Sequence, residues 1–186
     1  MAHYDFKKIM RESLPILSLC ILLEIIGGNL LDASSSDLFA VPVILALVPM
    51  VNGLGGNLGT IFGSRLSSGL HLGYIELSWK DKRLWENIRL SFLVGVFIFT
   101  VMGVLVWGLA PLMGLGTGDI SFWEFLAIAM LSGVLITIIA ILVSVVTAFV
   151  SFRRGIDPDN VVTPLVTTIG DLSGITLLII FVILIL

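Results

Sequence analysis

The sequence predicts an all-α integral membrane protein: five transmembrane helices, N terminus cytoplasmic, C terminus outside, and a second helix that is broken or glycine-kinked. Three observations carry this reading. Hydrophobic residues fill 58% of the 186 positions and the mean hydropathy is +1.14, whereas a water-soluble domain is about half apolar even with glycine counted. Five stretches reach the ~20 apolar residues that a helix rising about 1.5 Å per residue needs to cross a ~30 Å hydrocarbon core. All ten Lys and Arg residues fall at the N terminus or in alternate connections, and such a positive excess marks cytoplasmic segments.

The five spans cover residues 13–31, 38–66, 90–113, 122–150 and 161–186, and together make one transmembrane domain, 1–186. Span one follows "KKIMRES" and precedes "DASSSD", which is no small-residue cleavage site, so this helix is expected to remain as an anchor. Lys7, Lys8 and Arg11 precede it; Arg65, Lys80, Lys82, Arg83 and Arg89 lie between spans two and three; Arg153 and Arg154 lie between four and five. The two remaining connections hold acids only, among them Asp32, Asp37 and Asp119. Trp79, Trp85, Trp107 and Trp123 flank the spans as interfacial anchors would. The net charge of −3 carries no sign of a nucleic-acid partner, and the lone Cys20 excludes an internal disulfide and a thiolate metal cluster. No internal repeat is visible. An odd number of spans cannot form paired inverted halves in one chain, so a two-fold homodimer is expected to enclose any polar path.

Several polar residues are out of place in lipid. Span two carries Pro42, Pro49 and five glycines from Gly53 to Gly63, with Asn52 and Asn57 among them. Each such glycine weakens a helix interior by about 1 kcal/mol, so the segment is either closely packed against a neighbour or locally unwound. The amides supply carbonyl oxygens suited to a hard cation or its bound water. Asp171 lies about 15 Å into span five and Glu24 about 16 Å into span one, both near the midplane. A carboxylate at that depth costs about 2.5 to 3.5 kcal/mol and belongs on a wet or protein-facing surface. Asp171 is either a cation ligand or a protonated, helix-pairing side chain; doubled across a dimer axis, it argues for a positively charged permeant species. Glu24 is open between a second cation ligand, a proton acceptor and a protonated helix-pairing group. Asp159 or Asn160 is expected to cap the last helix, with a weaker role for Asp159 in gathering cations at the mouth. His3 and His71 have no metal-like spacing.

Two blocks, "PMVNGLGGNLGTIFGSRLSSGLHLG" and "DPDNVVTPLVTTIGDLSGI", together resemble the signature regions of the MgtE-type magnesium transporter membrane domain and its animal solute carrier relatives. The start "RESLPIL" is similar to that domain's first helix, so the resemblance covers essentially all five spans. It implies a homodimer with a cation path at the interface, in which Asp171 binds magnesium largely through the ion's own waters. It also implies roles for Gly56 and Asn57 in the glycine-asparagine motif and for Thr167 and Thr163, one and two turns before the acid. In some relatives an asparagine stands where this chain has Thr163. The bacterial transporters carry a cytoplasmic magnesium-sensing region that this five-helix unit does not include, so gating by such a sensor is not carried over.

The chemistry suits the implied ion. Magnesium prefers six oxygens and dehydrates reluctantly, so a wide ring of carboxylates, amides and hydroxyls can hold it with its water shell. No soft ligand set favours copper or zinc, while manganese, cobalt and calcium remain open. The expectation is a magnesium or divalent cation channel or transporter of the cell membrane, working in the lipid bilayer with a regulatory protein of unidentified kind as a further partner. The alternatives are a proton- or sodium-coupled carrier using Glu24 and Asp171, and a non-conducting membrane partner subunit. No catalytic constellation of an intramembrane enzyme is present.

Overall fold

The computed structural model describes residues 6–34 and 41–186. His3, Asp37 and the expected start of span two at residue 38 lie outside the described residues. The helices are α1 (Phe6–Ala33), α2 (Pro42–Leu45), α3 (Leu47–His71), α4 (Lys82–Leu109), α5 (Phe122–Arg153) and α6 (Val162–Ile185), with 3-10 turns at Ala110–Met113 and Pro158–Asn160. Among the described residues five helical stretches are long and apolar enough to cross a membrane, α2 and α3 forming one of them.

Helix ends follow local chemistry more than hydropathy, and several therefore reach past the expected apolar limits. α4 begins at Lys82, eight residues before the expected 90, because Asp81 caps it, accepting from the Arg83 N–H at 2.7 Å. α5 opens on a capping box in which Ser121 accepts from the Glu124 N–H and Glu124 accepts from the Ser121 N–H. It closes at Gly155, whose φ of +68° suits glycine. There the Ile156 N–H bonds the Ser151 carbonyl at 3.0 Å and the Gly155 N–H that of Phe152 at 3.2 Å, the pairing that satisfies the last free carbonyls of a helix.

Span two is interrupted, though not at its glycines. Its backbone is unbroken α-helix from Leu47 to His71, through every glycine. The interruption falls instead at Ala46, between α2 and α3. Pro49 fits the place: it has no N–H to give the Leu45 carbonyl, so the helical bond that would span Ala46 is missing. Except for Gly53, which faces open space, the glycines serve packing. A Cβ on Gly59 would collide with Val166 and Ala140, and one on Gly63 with Val162, so α3 lies almost backbone to backbone against α6 and α5.

α3, α5 and α6 pack mutually as the centre of the bundle; α4 covers α5 on one side and α1 covers α6 on the other. The contacts set the directions. Gly63 meets Val162 and Gly56 meets Thr167, so α3 and α6 run antiparallel. Glu12 meets Asn160 and Gly27 meets Leu172, so α1 and α6 run parallel. Alternating crossings thus bring the basic residues to one end, where Arg153 reaches the Leu77 carbonyl and the Trp79 ring lies 5.7 Å from that of Phe149.

The expected cap on α6 is also corrected. Neither Asp159 nor Asn160 caps it: the N-cap position is Val161, without a side-chain cap. Asp157 instead accepts from the Asp159 N–H at 3.1 Å to hold the preceding turn, and the Asn160 amide is drawn to Glu12. Pro164 costs no helical hydrogen bond, because it lies in the first turn, where N–H groups have no partner within the helix.

Two outcomes test this packing. Gly59→Val is expected to lower the melting temperature of the detergent-purified protein by several degrees, overpacking costing about 1–3 kcal/mol. Gly108→Ala, with open space around it, should not lower the melting temperature and is expected to raise it slightly, since alanine favours the helix. The amide hydrogen bonds from Glu76 and Arg83 hold the Asp81 carboxyl below its ordinary value. The α4 cap is therefore complete at neutral pH, and the protection of the first α4 amides, measured relative to their intrinsic exchange rate at each pH, should fall only as pH drops through that depressed value.

Candidate functional site

Buried apolar side chains form two clusters, one at each end of the bundle. One holds Val51, Ile136 and Leu178; the other holds Phe62, Ala140 and Val166. The interval between them, residues 52–61 on α3 and 167–177 on α6, contains Asn52, Asn57, Thr60, Thr167 and Asp171. The polar residues thus share the middle depth of the bundle.

On α6, Thr163, Thr167 and Asp171 recur every four residues and form one stripe. Thr163 is exposed, while Thr167 and Asp171 are half-buried. The Thr167 hydroxyl donates to the Thr163 and Pro164 carbonyls, each at 3.0 Å. Its proton is thereby used locally, and its oxygen is left able to accept. On α3, Asn57, Thr60 and Ser64 form a matching stripe that is exposed or half-exposed, with the Thr60 hydroxyl donating to the Asn57 carbonyl at 3.0 Å.

The glycine next to Asn57 and the glycine next to Asp171 bring the stripes to one level. A Cβ on Gly170 would stand 3.6 Å from Gly56 N, and one on Gly56 would stand 3.4 Å from Thr167 Cγ2. The structure therefore brings Gly56, Asn57, Thr167 and Asp171 to one level of the α3–α6 contact. Among the described residues neither the Asp171 carboxylate nor the Asn57 amide makes a hydrogen bond. Unspent oxygens at membrane depth call for water, an ion or a second chain.

Asn52 lies one turn further along, toward Gly174 and Ile136. A Cβ on Gly174 would collide with Asn52 Oδ1, and that oxygen is buried without a hydrogen-bond partner. It faces the packed interior, apart from the exposed stripe of Asn57. Glu24 is exposed on α1 and lies within electrostatic range of Asp171. Asp159 is exposed at the bundle end, on the turn before α6, and takes no part in the mid-depth group. His71 bonds the Ser67 carbonyl through Nδ1 at 2.9 Å and packs edge-on against Phe152, so it is structural.

Two features escaped the sequence reading. The hydroxyls of Thr60 and Ser64 extend the Asn57 stripe, and helical spacing alone would have revealed them. Glu12 accepts from the Asn160 side-chain amide at 2.8 Å and the Asp157 N–H at 3.4 Å, joining α1 to the turn before α6. Only the tertiary fold brings those partners together.

Comparison with known proteins follows this geometry. The family model of MgtE, described as a divalent cation transporter, matches residues 48–181, well over half of the chain. The chain belongs to the MgtE divalent cation transporter family. Human solute carrier family 41 member 2 is 30% identical over 175 residues, covering 88% of this chain and 30% of that protein. The mouse protein of the same name is 32% identical over 177 residues, with the same coverage. The magnesium transporter MgtE of Thermus thermophilus is 28% identical over 160 residues, 86% of this chain and 33% of that protein. The chain thus spans about a third of the length of these curated relatives. With its five apolar helices, it is a multi-pass integral membrane protein.

The link between α1 and α6 can be tested at Cys20. This cysteine is 6% exposed and its thiol approaches the Pro164 carbonyl at 3.5 Å. Glu12→Ala should loosen α1 and raise the rate of Cys20 alkylation by a membrane-permeant maleimide about tenfold. An unchanged rate would show that apolar packing alone seats α1.

Proposed function

We propose that the protein is a magnesium channel or transporter in which two copies face each other and enclose a cation path between their α3–α6 stripes. The observation that carries this reading is the mid-depth group of unspent oxygens on the open face of the bundle, the Asp171 carboxylate, the Asn57 amide and the Thr167 hydroxyl, with the Thr163 hydroxyl one turn nearer the basic end. Asp171 from each copy supplies the charge, and the neutral oxygens accept hydrogen bonds from the ion's water shell. Magnesium crosses largely hydrated, which avoids the cost of stripping its inner waters. Gly56 keeps the two helices close enough to bring Asn57 to the level of Asp171. Asn52 faces the packed interior beside Gly174 and stands apart from this ring, and Asp159 contributes only at the mouth.

Membership of a divalent cation transporter family and the magnesium named in the bacterial relative support the choice of ion. The basic residues gathered at one end support a cytoplasmic N terminus, and the cell membrane as its place. In proteoliposomes, Asp171→Asn and Asp171→Ala are each expected to lower magnesium flux at least about tenfold, while light scattering in detergent gives the mass of two chains. Full flux in both variants, or a monodisperse monomer that conducts, would defeat the proposal.

The placement of Glu24 on α1, one turn before Gly27, which faces Leu172 beside Asp171, favours one second reading, a carrier that couples cation movement to proton transfer between these acids. Collapsing the proton and sodium gradients separates the two: the channel-like reading expects unchanged magnesium flux, and the coupled carrier expects its loss.

A further inference from the structure

At the basic end of the bundle, the start of α1 and the segment after α5 enclose a cleft of about 670 Å³. Lys7, Lys8, Arg11 and Arg154 line it, and Glu12 is the one acidic side chain among its described lining residues. Glu12 is turned inward. Its side chain is 11% exposed, with Lys8 at 3.9 Å, and one carboxylate oxygen receives Asn160 Nδ2 and the Asp157 N–H. Arg11 and Arg154 are both exposed and, among the described residues, have no carboxylate partner. The cleft therefore keeps a clear positive excess.

A second hollow of about 270 Å³ adjoins it and shares Glu12, Ile16, Arg154 and Ile156. Its other walls include Val146, Val150 and Leu165, on the membrane-spanning parts of α5 and α6. A cationic mouth thus opens onto an apolar slot that runs toward the hydrocarbon. A soluble anion would complement only the first of these parts. An amphiphile with a negative head and an apolar tail complements both.

We propose that this paired cleft binds an anionic phospholipid. The planar guanidiniums of Arg11 and Arg154 take the phosphate, since each can offer two parallel N–H groups to its oxygens. Lys7 and Lys8 strengthen the field around the headgroup, and each cation near an anionic surface tightens attachment about fivefold. One acyl chain fills the slot along Val146, Val150 and Leu165. Bound there, the lipid bridges α1 to α5 and α6 beside the Glu12 link. The inference depends only on the chain lying in a membrane, and its test does not use transport.

The test is lipid binding to the purified full chain, followed by native mass spectrometry with phosphatidylglycerol and phosphatidylcholine of matched acyl chains. Phosphatidylglycerol is expected to be retained about tenfold or more over phosphatidylcholine. The double variant Arg11→Gln, Arg154→Gln should lose that preference, whereas Lys80→Gln with Lys82→Gln, outside the cleft but at the same end, should keep it. Val150→Trp should fill the slot and weaken lipid retention at least about fivefold; Val150 is 43% exposed, so the bundle can accept the larger side chain. Absence of a preference in the wild-type chain overturns the proposal. So does equal loss in the two double variants, which would mean diffuse charge attraction. Displacement of the lipid by equimolar inorganic phosphate, or full retention in Val150→Trp, would point to a soluble phosphate site instead and overturn it equally.

Discussion

The antiparallel contact of α3 with α6 is the constraint on which the rest of the structure depends. In lipid, helices gain little from burying apolar surface against one another, because the surrounding tails are equally apolar; close packing supplies the attraction instead. Gly59 and Gly63 remove the side chains that would hold α3 away from Val166 and Val162. The backbones come together, dispersion contacts accumulate and the Ser144 hydroxyl of α5 can reach the Gly59 carbonyl at 2.9 Å. The helical propensity lost at each glycine is offset by contacts that a larger residue would forbid.

The same contact explains how polar side chains survive at mid-depth. The apolar clusters at the two ends of the bundle and the close glycine contacts between them hold the helices together, so the outward-facing side chains at middle depth need not. Hydroxyls there donate to carbonyls of their own helices, as Thr167 does to Thr163 and Thr60 to Asn57. That leaves oxygen lone pairs facing outward, a surface matched to the hydrogens of a hydrated cation and mismatched to lipid. A polar face at middle depth is poorly matched to lipid, and this mismatch is the physical ground for proposing a partner across it.

α1 and α4 stand outside this centre, and they differ. α4 packs along both α5 and α3, with Phe99 fully buried. α1 packs mainly on α6 and buries only Cys20 and Gly27 among its 28 residues. Its Ile21 and Leu22 are more than 60% exposed, at 62% and 61%. An element seated so lightly depends on its end contacts: Glu12 with Asn160 and Asp157, and the basic cleft beside them. Glu24 lies on this helix, so its electrostatic reach to Asp171 depends on how firmly α1 is held.

The solvent, the number of crossings, the mid-depth acids and the family likeness were legible in the sequence, because each rests on composition or spacing along one helix. Asp171, Thr167 and Thr163 share a stripe by helical period alone, and the charges of the loops mark one end of the bundle. Helix ends were less legible, since the Asp81 cap and the Gly155 stop carry α4 and α5 past the apolar runs. The glycines of span two could not be read correctly from sequence: the same residues permit unwinding or close approach, and only the presence of Val166, Ala140 and Val162 opposite them decides for approach. The depth match of Asn57 with Asp171, the burial of Asn52 against Gly174 and the capture of Asn160 by Glu12 were likewise decided by tertiary structure. Each depends on the register between helices distant in sequence, and register follows from side chains interlocking across the contact, which no single helix contains.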